Sequence, residues 1–154
     1  MSRFTIREDD LTGAAIIALL EYHLAEMIRH SPICSVHAMP VERLRGPDVT
    51  FWSVWDGDAL AGCGALHEID PDHGELKSMR AAPAFLRRGV GEAMLLHLMA
   101  EARLRGYSRL SLETGRPEPF HAAHALYRKH GFAKCPPFAD YREDPFSMCM
   151  TRPL

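Results

Sequence analysis

"FLRRGVGEAML" spans residues 85–95 and sets two glycines, Gly89 and Gly91, behind Arg87 and Arg88 and directly ahead of a helical pattern. Backbone amides in the first turn of a helix lack intrahelical partners and lie at the positive end of its dipole. They hold a phosphate where no Cβ blocks the approach. The two glycines remove that obstruction, although a Gly-x-Gly pair also serves simply to turn a chain. Two common phosphate loops do not fit. A dinucleotide fingerprint needs Gly or Ala where Met94 stands, and it follows the first strand of a βαβ unit. A P-loop needs a Gly-Lys-Ser/Thr string that the chain lacks.

Working outward, Val90, Met94, Leu98 and Ala102 recur on one face of a helix that Gly106 stops. Upstream, "VTFWSVW", the turn pair Asp56-Gly57 and "DALAGCGALHEI" read as a hairpin, and "DPDHG" turns the chain into "ELKSMRA", giving three successive antiparallel strands. Before them, "FTIR" at 4–7 reads as a first strand. Asp9 and Asp10 read as N-caps of an amphipathic helix from about Leu11 to His30, ended by Pro32. Downstream come a strand "YSRLSLET", a helix in "EPFHAAHALYRKHGF" that ends at Gly131, and a closing strand "FSMCMTRPL". The class is mixed α/β.

The chain has 154 residues, 47% of them hydrophobic, which suits one domain over 1–154 with no repeat or linker. A net charge of -2 without a Lys/Arg block gives no footprint for nucleic acid or an anionic membrane. The N-terminus has no apolar signal core, and the apolar run "LTGAAIIALL" at 11–20 is too short to span a bilayer. Cys34, Cys63, Cys135 and Cys149 are widely spaced, which fits a reducing cytoplasm better than a disulfide or metal framework. Oligomeric state is open, with a homodimer among the options.

The stretch "MRAAPAFLRRGVGEAML" (79–95) resembles the strand, proline-containing loop, glycine pair and helix of the Gcn5-related N-acetyltransferase (GNAT) family. A second signature of that family, Ala-x-x-Leu-Tyr-x-x-x-Gly-Phe, is matched by Ala123, Leu126, Tyr127, Gly131 and Phe132 in the same order. Leu86 stands where the family usually has Gln or Arg, and Phe120 where many members have Asn. The resemblance implies a mixed, mainly antiparallel central sheet flanked by helices, with strands that part to admit the pantetheine arm of acetyl-CoA. It implies acetyl transfer to a primary amine of a small acceptor, with Leu86, Arg87, Arg88, Gly89, Val90, Gly91 and Glu92 forming the pyrophosphate cradle. The two departures motivate a second reading, an acyl-CoA-binding sensor or partner-binding module without transfer.

Transfer from a thioester to an amine requires a neutral amine, a proton acceptor, oxyanion stabilisation and protonation of the leaving thiolate. The resemblance makes Tyr127 the general acid. A phenol with a reference pKa of about 10 keeps its proton at neutral pH; the plain alternative is a packed core tyrosine. By the same resemblance the main chain of Met79, Arg80 and Ala81 polarises the thioester carbonyl. Glu75, fourteen residues before Gly89, stands at a spacing similar to the catalytic Glu of the histone-acetylating branch, and is the candidate base. Its alternative is a solvent-facing strand residue.

His23, His30 and His37 fall in the region resembling the family's acceptor side, where an imidazole could act as base or line a pocket. His121 and His124 could share a helix face, but no nearby carboxylate or thiol completes a metal set, and no metal is expected. Cys63 in "LAGCGAL" reads as a buried strand residue, so direct transfer is simpler than a covalent intermediate. The turn-rich segments 30–40 and 136–146, the latter with Tyr141, Arg142, Glu143 and Asp144, are expected to shape the acceptor pocket.

Overall fold

Residues 3–154 are described by a computed structural model. Seven strands form one sheet: β1 Thr5–Glu8, β2 Val49–Asp56, β3 Ala59–Asp70, β4 His73–Ala81, β5 Arg109–Gly115, β6 Ala133–Cys135 and β7 Ser147–Pro153. Four helices accompany them: α1 Ala14–His30, the single turn α2 Val41–Leu44, α3 Val90–Leu104 and α4 His121–Lys129. The spatial order is β1-β2-β3-β4-β5-β7-β6, and every neighbouring pair is antiparallel except β4 and β5. The crossover through α3 makes that one parallel pair, since a strand-helix-strand unit returns the chain in the same direction.

Two apolar clusters cover the two faces. Trp52 belongs with α3 residues Val90, Met94, Leu95, Leu98, Met99 and Ala102, whereas its neighbour Phe51 belongs with Ile16, Leu19 and Leu20 of α1. Successive strand residues point to opposite faces, so α1 and α3 sandwich the sheet. The face expected for α3 is the one buried, widened by Leu95 and Met99. Tight approach of α3 is written into β3: a Cβ on Gly64 would lie 2.6 Å from Met94 Cγ.

The structure departs from the sequence reading at three elements. The first helix begins at Ala14 rather than near Leu11, because Leu11 adopts φ 65° and is buried. Asp9 and Asp10 accept hydrogen bonds from the amides of Leu11 and Thr12, holding the turn before the helix instead of capping it. The others are α2, a single turn after Pro40, and β6, an edge strand of three residues. So short a run has no alternation to read.

Candidate active site

The glycine loop opens α3 as expected. Gly89 is the N-cap residue with φ 83°, a left-handed conformation that a side chain would strain. The first helical bond runs from the amide of Ala93 to the carbonyl of Gly89, leaving the amides of Val90, Gly91 and Glu92 without helical partners. Arg87, Arg88 and Gly89 are exposed around them, and Val90 is buried as the anchor of the turn. A Cβ on Gly89 would meet nothing within 4 Å, so the approach to these amides is open. Glu92 carries a negative charge into this turn, but its carboxylate accepts from Lys129 Nζ at 2.7 Å and contacts His130 Nε2 at 2.8 Å. The Lys129 bond first, and His130 after it, holds this carboxyl below its ordinary pKa. The first turn of α3 is thus tied to the end of α4.

Next to the cradle the sheet opens. β4 and β5 pair only over His73–Glu75 with Arg109–Ser111, after which both strands continue unpaired with each other. Just beyond that point β4 becomes irregular. Lys77 is opposite Ala65 and Arg80 opposite Cys63, so Ser78 and Met79 together face Gly64, and Ser78 has φ 54°. This is a β-bulge, which bends the strand and releases main chain from the ladder. It falls at the start of the "MRA" segment, where Met79 and Ala81 are half-buried against the α3 core.

A cavity of about 380 Å³ fills the opening between the strands. Its wall includes Leu76–Arg80 of β4, Leu112–Thr114 of β5, α1 residues from Tyr22 to His30, and Tyr127 of α4. Leu86 and Phe120, the two departures from the family pattern, lie at its edge. Phe120 stacks edge-on against Phe146, with ring centroids 5.8 Å apart, and its ring leaves no room for a side chain at Gly115.

Two groups on this wall have the electrostatics of an acid and a base. Burial pushes the Tyr127 phenol up to about 12, with the Arg80 charge opposing, so it holds its proton across the physiological range. Burial likewise pushes the Glu113 carboxyl up to about 7, against the pull of Lys77. Its side chain is only 8% exposed, and His37 Nε2 stands 4.0 Å from it. Burial also lowers the His37 imidazole. A carboxyl that titrates near neutrality and faces a cavity is suited to exchange protons with a substrate.

Glu75, the base expected from spacing, is placed differently. It is buried, not solvent-facing, and is not part of the cavity wall. His67 Nδ1 lies 2.9 Å from one carboxylate oxygen. The Tyr141 hydroxyl donates a short bond to the other, with Lys77 Nζ at 3.7 Å. Lys77 also donates to Tyr141 Oη at 2.8 Å and to the His37 carbonyl at 3.0 Å. This network fastens the 136–146 segment and the His37 loop to β4.

His23, His30 and His37 all line the cavity. From the loop at 136–146, Tyr141 reaches the network below it, while Arg142, Glu143 and Asp144 border a separate depression beside β6 and β7. His121 and His124 serve the β5–α4 turn, contacting the carbonyls of Arg116 and Gly115 at 3.0 and 2.6 Å. Among the described residues no group of three His, Cys, Asp or Glu side chains is arranged to hold a metal ion, and no helix is long and apolar enough to cross a membrane. Cys63 is buried, and burial pushes its thiol up to about 12. Glu113 and the bulge at Ser78 are not among the residues that the sequence motifs single out. One signal for the first was that Glu113 is the one charged residue in "LSLETG".

A helix with open N-terminal amides, beside strands that part around a cavity, fits an acyl-CoA-dependent transferase. The chain matches the Acetyltransferase (GNAT) family over residues 16–132 and belongs to that family. It is 56% identical over 151 residues to the Escherichia coli N-acetyltransferase YedL, covering 98% of this chain and 95% of that one. A solved acyl-CoA N-acyltransferase structure from Klebsiella pneumoniae is 31% identical with a TM-score of 0.78, covering 98% and 97% of the two chains. The fold is also shared with a GNAT acetyltransferase of Elizabethkingia anophelis with acetyl-CoA bound, at a TM-score of 0.74, 19% identity and full coverage of both chains. The protein is an N-acetyltransferase, and these likenesses do not favour a silent binding module.

Proposed function

We propose that acetyl-CoA donates its acetyl group in this cavity to the primary amine of a small molecule, by direct transfer. The carrying observation is that Glu113 and Tyr127, a carboxyl at about 7 and a phenol at about 12, share the wall at which β4 and β5 separate. The pyrophosphate rests on the open amides of Val90, Gly91 and Glu92, with Arg87 and Arg88 supplying exposed positive charge around it. Main chain released at the Ser78–Met79 bulge, continuing through Arg80 and Ala81, polarises the thioester carbonyl. Leu86 and Phe120 then offer apolar contact to the pantetheine arm in place of polar side chains.

In this reading Glu113 removes a proton from the acceptor ammonium, and the neutral amine attacks the carbonyl carbon. The N–C bond forms, the C–S bond breaks, Tyr127 gives its proton to the departing thiolate, and the surplus proton shed by the new amide nitrogen returns to the Tyr127 phenolate. Glu75 acts as a positioning residue: it holds Lys77 and Tyr141, and through them the loop carrying His37. No metal has a role in these steps.

The test is thiol release from acetyl-CoA across an amine panel. Glu113→Gln should lower kcat by about a hundredfold or more, the usual contribution of a general base, with acetyl-CoA affinity retained. Glu75→Gln should act mainly on acceptor KM. An unchanged kcat in Glu113→Gln combined with a collapse in Glu75→Gln would return the base role to Glu75.

A further inference from the structure

Among the charged groups that line the cavity, the Arg80 guanidinium stands apart. Glu26 meets His30 at 3.0 Å and Arg29 at 3.5 Å, Lys77 lies 3.7 Å from Glu75, and Glu113 faces His37. Arg80 has no carboxylate within ion-pair distance among the described residues. Its Nε donates to His23 Nδ1 at 2.9 Å, and the guanidinium carbon lies 5.8 Å from the centroid of the Tyr22 ring. His23 offers no countercharge. Burial first, then Arg80 and Lys77, push its imidazole down to about 3. It acts as a neutral acceptor that fixes the guanidinium plane and leaves both terminal nitrogens, Nη1 and Nη2, without a protein hydrogen bond among the described residues.

A fixed guanidinium with its fork free is a receptor for a planar oxyanion pair, which it binds bidentately. Its position selects the source. Arg80 follows the bulge directly, and its charge acts on the Tyr127 phenol, so the fork lies at the transfer end of the cavity rather than at the glycine cradle. An anion bound there must sit close to the attacking nitrogen. In an α-amino acid one carbon separates amine and carboxylate, whereas in a peptide or polyamine no carboxylate lies so near the nucleophile.

We propose that the acceptor is a free α-amino acid whose carboxylate is gripped by the Arg80 guanidinium while its ammonium group faces Glu113. The inference rests on the transfer reading given above and specifies its substrate class. It also assigns His23 as the positioning residue for Arg80, acting through the Nε bond.

The experiment compares thiol release from acetyl-CoA with free amino acids and with their methyl esters, for the native chain, Arg80→Lys and Arg80→Met. Esters carry the same side chain and a more readily neutralised amine, so preference for the free acid reports carboxylate recognition. The expected result is at least a tenfold higher kcat/KM for free acids, carried by KM. That preference should be lost in Arg80→Met and partly kept in Arg80→Lys, with acetyl-CoA affinity by calorimetry and the thermal midpoint close to native in both variants. Equal use of acids and esters by the native chain overturns the proposal while leaving amine acetylation standing. Loss of acetyl-CoA binding in both variants also overturns it, by moving Arg80 to the donor. If the native chain binds acetyl-CoA yet releases no thiol with any amine, the transfer reading itself falls.

Discussion

His37 Nε2 stands 4.0 Å from Glu113 Oε2, an imidazole lowered by burial facing a carboxyl raised by burial to about 7. Neither group is held charged by the other at neutral pH in the way an ordinary ion pair would be. If Glu113 is the base, kcat/KM should rise with pH and level off above about 7, and that limb should vanish in Glu113→Gln. A pH-rate profile with saturating acetyl-CoA checks this, and an unchanged limb in the variant rules Glu113 out.

The same carboxyl has a stability signature of opposite sign. Its folded value, about 7, exceeds the reference of about 4.3 for an unfolded chain, so between the two the folded state binds the extra proton. Stability therefore falls as pH rises through that window. Glu113→Gln should stabilise the fold by up to roughly 4 kcal/mol at pH 8, taking 1.36 kcal/mol per pH unit, and change little near pH 4. Denaturant melts at the two pH values decide it.

Tyr127→Phe removes one hydroxyl and keeps the ring that packs 5.9 Å from Phe132. Turnover should fall about a hundredfold, the lower range for a lost general acid, while acetyl-CoA affinity and thermal stability stay near native. A native rate would return Tyr127 to the core tyrosine that its sequence context also allowed.

Gly62→Ala tests the coupling of core to site. The new Cβ would lie 2.8 Å from the Arg80 carbonyl and 2.5 Å from Val90 Cγ1. The Val90 side chain can rotate, but the Arg80 main chain can only move. The variant should lose about 1–3 kcal/mol through overpacking and also lose kcat, because the displaced main chain belongs to the segment proposed to polarise the thioester. Loss of stability with native kcat would separate the two.

Lys129→Ala leaves the Glu92 carboxylate without the cation 2.7 Å away. Acetyl-CoA affinity should drop several-fold, and the drop should shrink as salt screens the repulsion. A salt-independent change would show that Lys129 acts by another route.

Much of this protein was legible in its local sequence. Asp56-Gly57, the apolar spacing of α3 and the glycine pair ahead of it are set by near neighbours, so most of the element order could be read from the sequence. The two ordered signatures added the family. Which carboxylate meets the cavity was not legible, because Glu75 and Glu113 are each a lone acid in a strand and only packing buries one in a network and points the other at the opening. Alternation along β4 is likewise interrupted at Ser78 and Met79, and a single extra residue reverses the face of all that follow. Counting from Glu75 could not place Arg80 against His23, fifty-seven positions earlier in the chain. Sequence alone determined the conformations that the backbone prefers over a few residues. Tertiary structure decided which charges lose water and which partners they meet, because desolvation and pairing depend on groups brought together from distant parts of the chain.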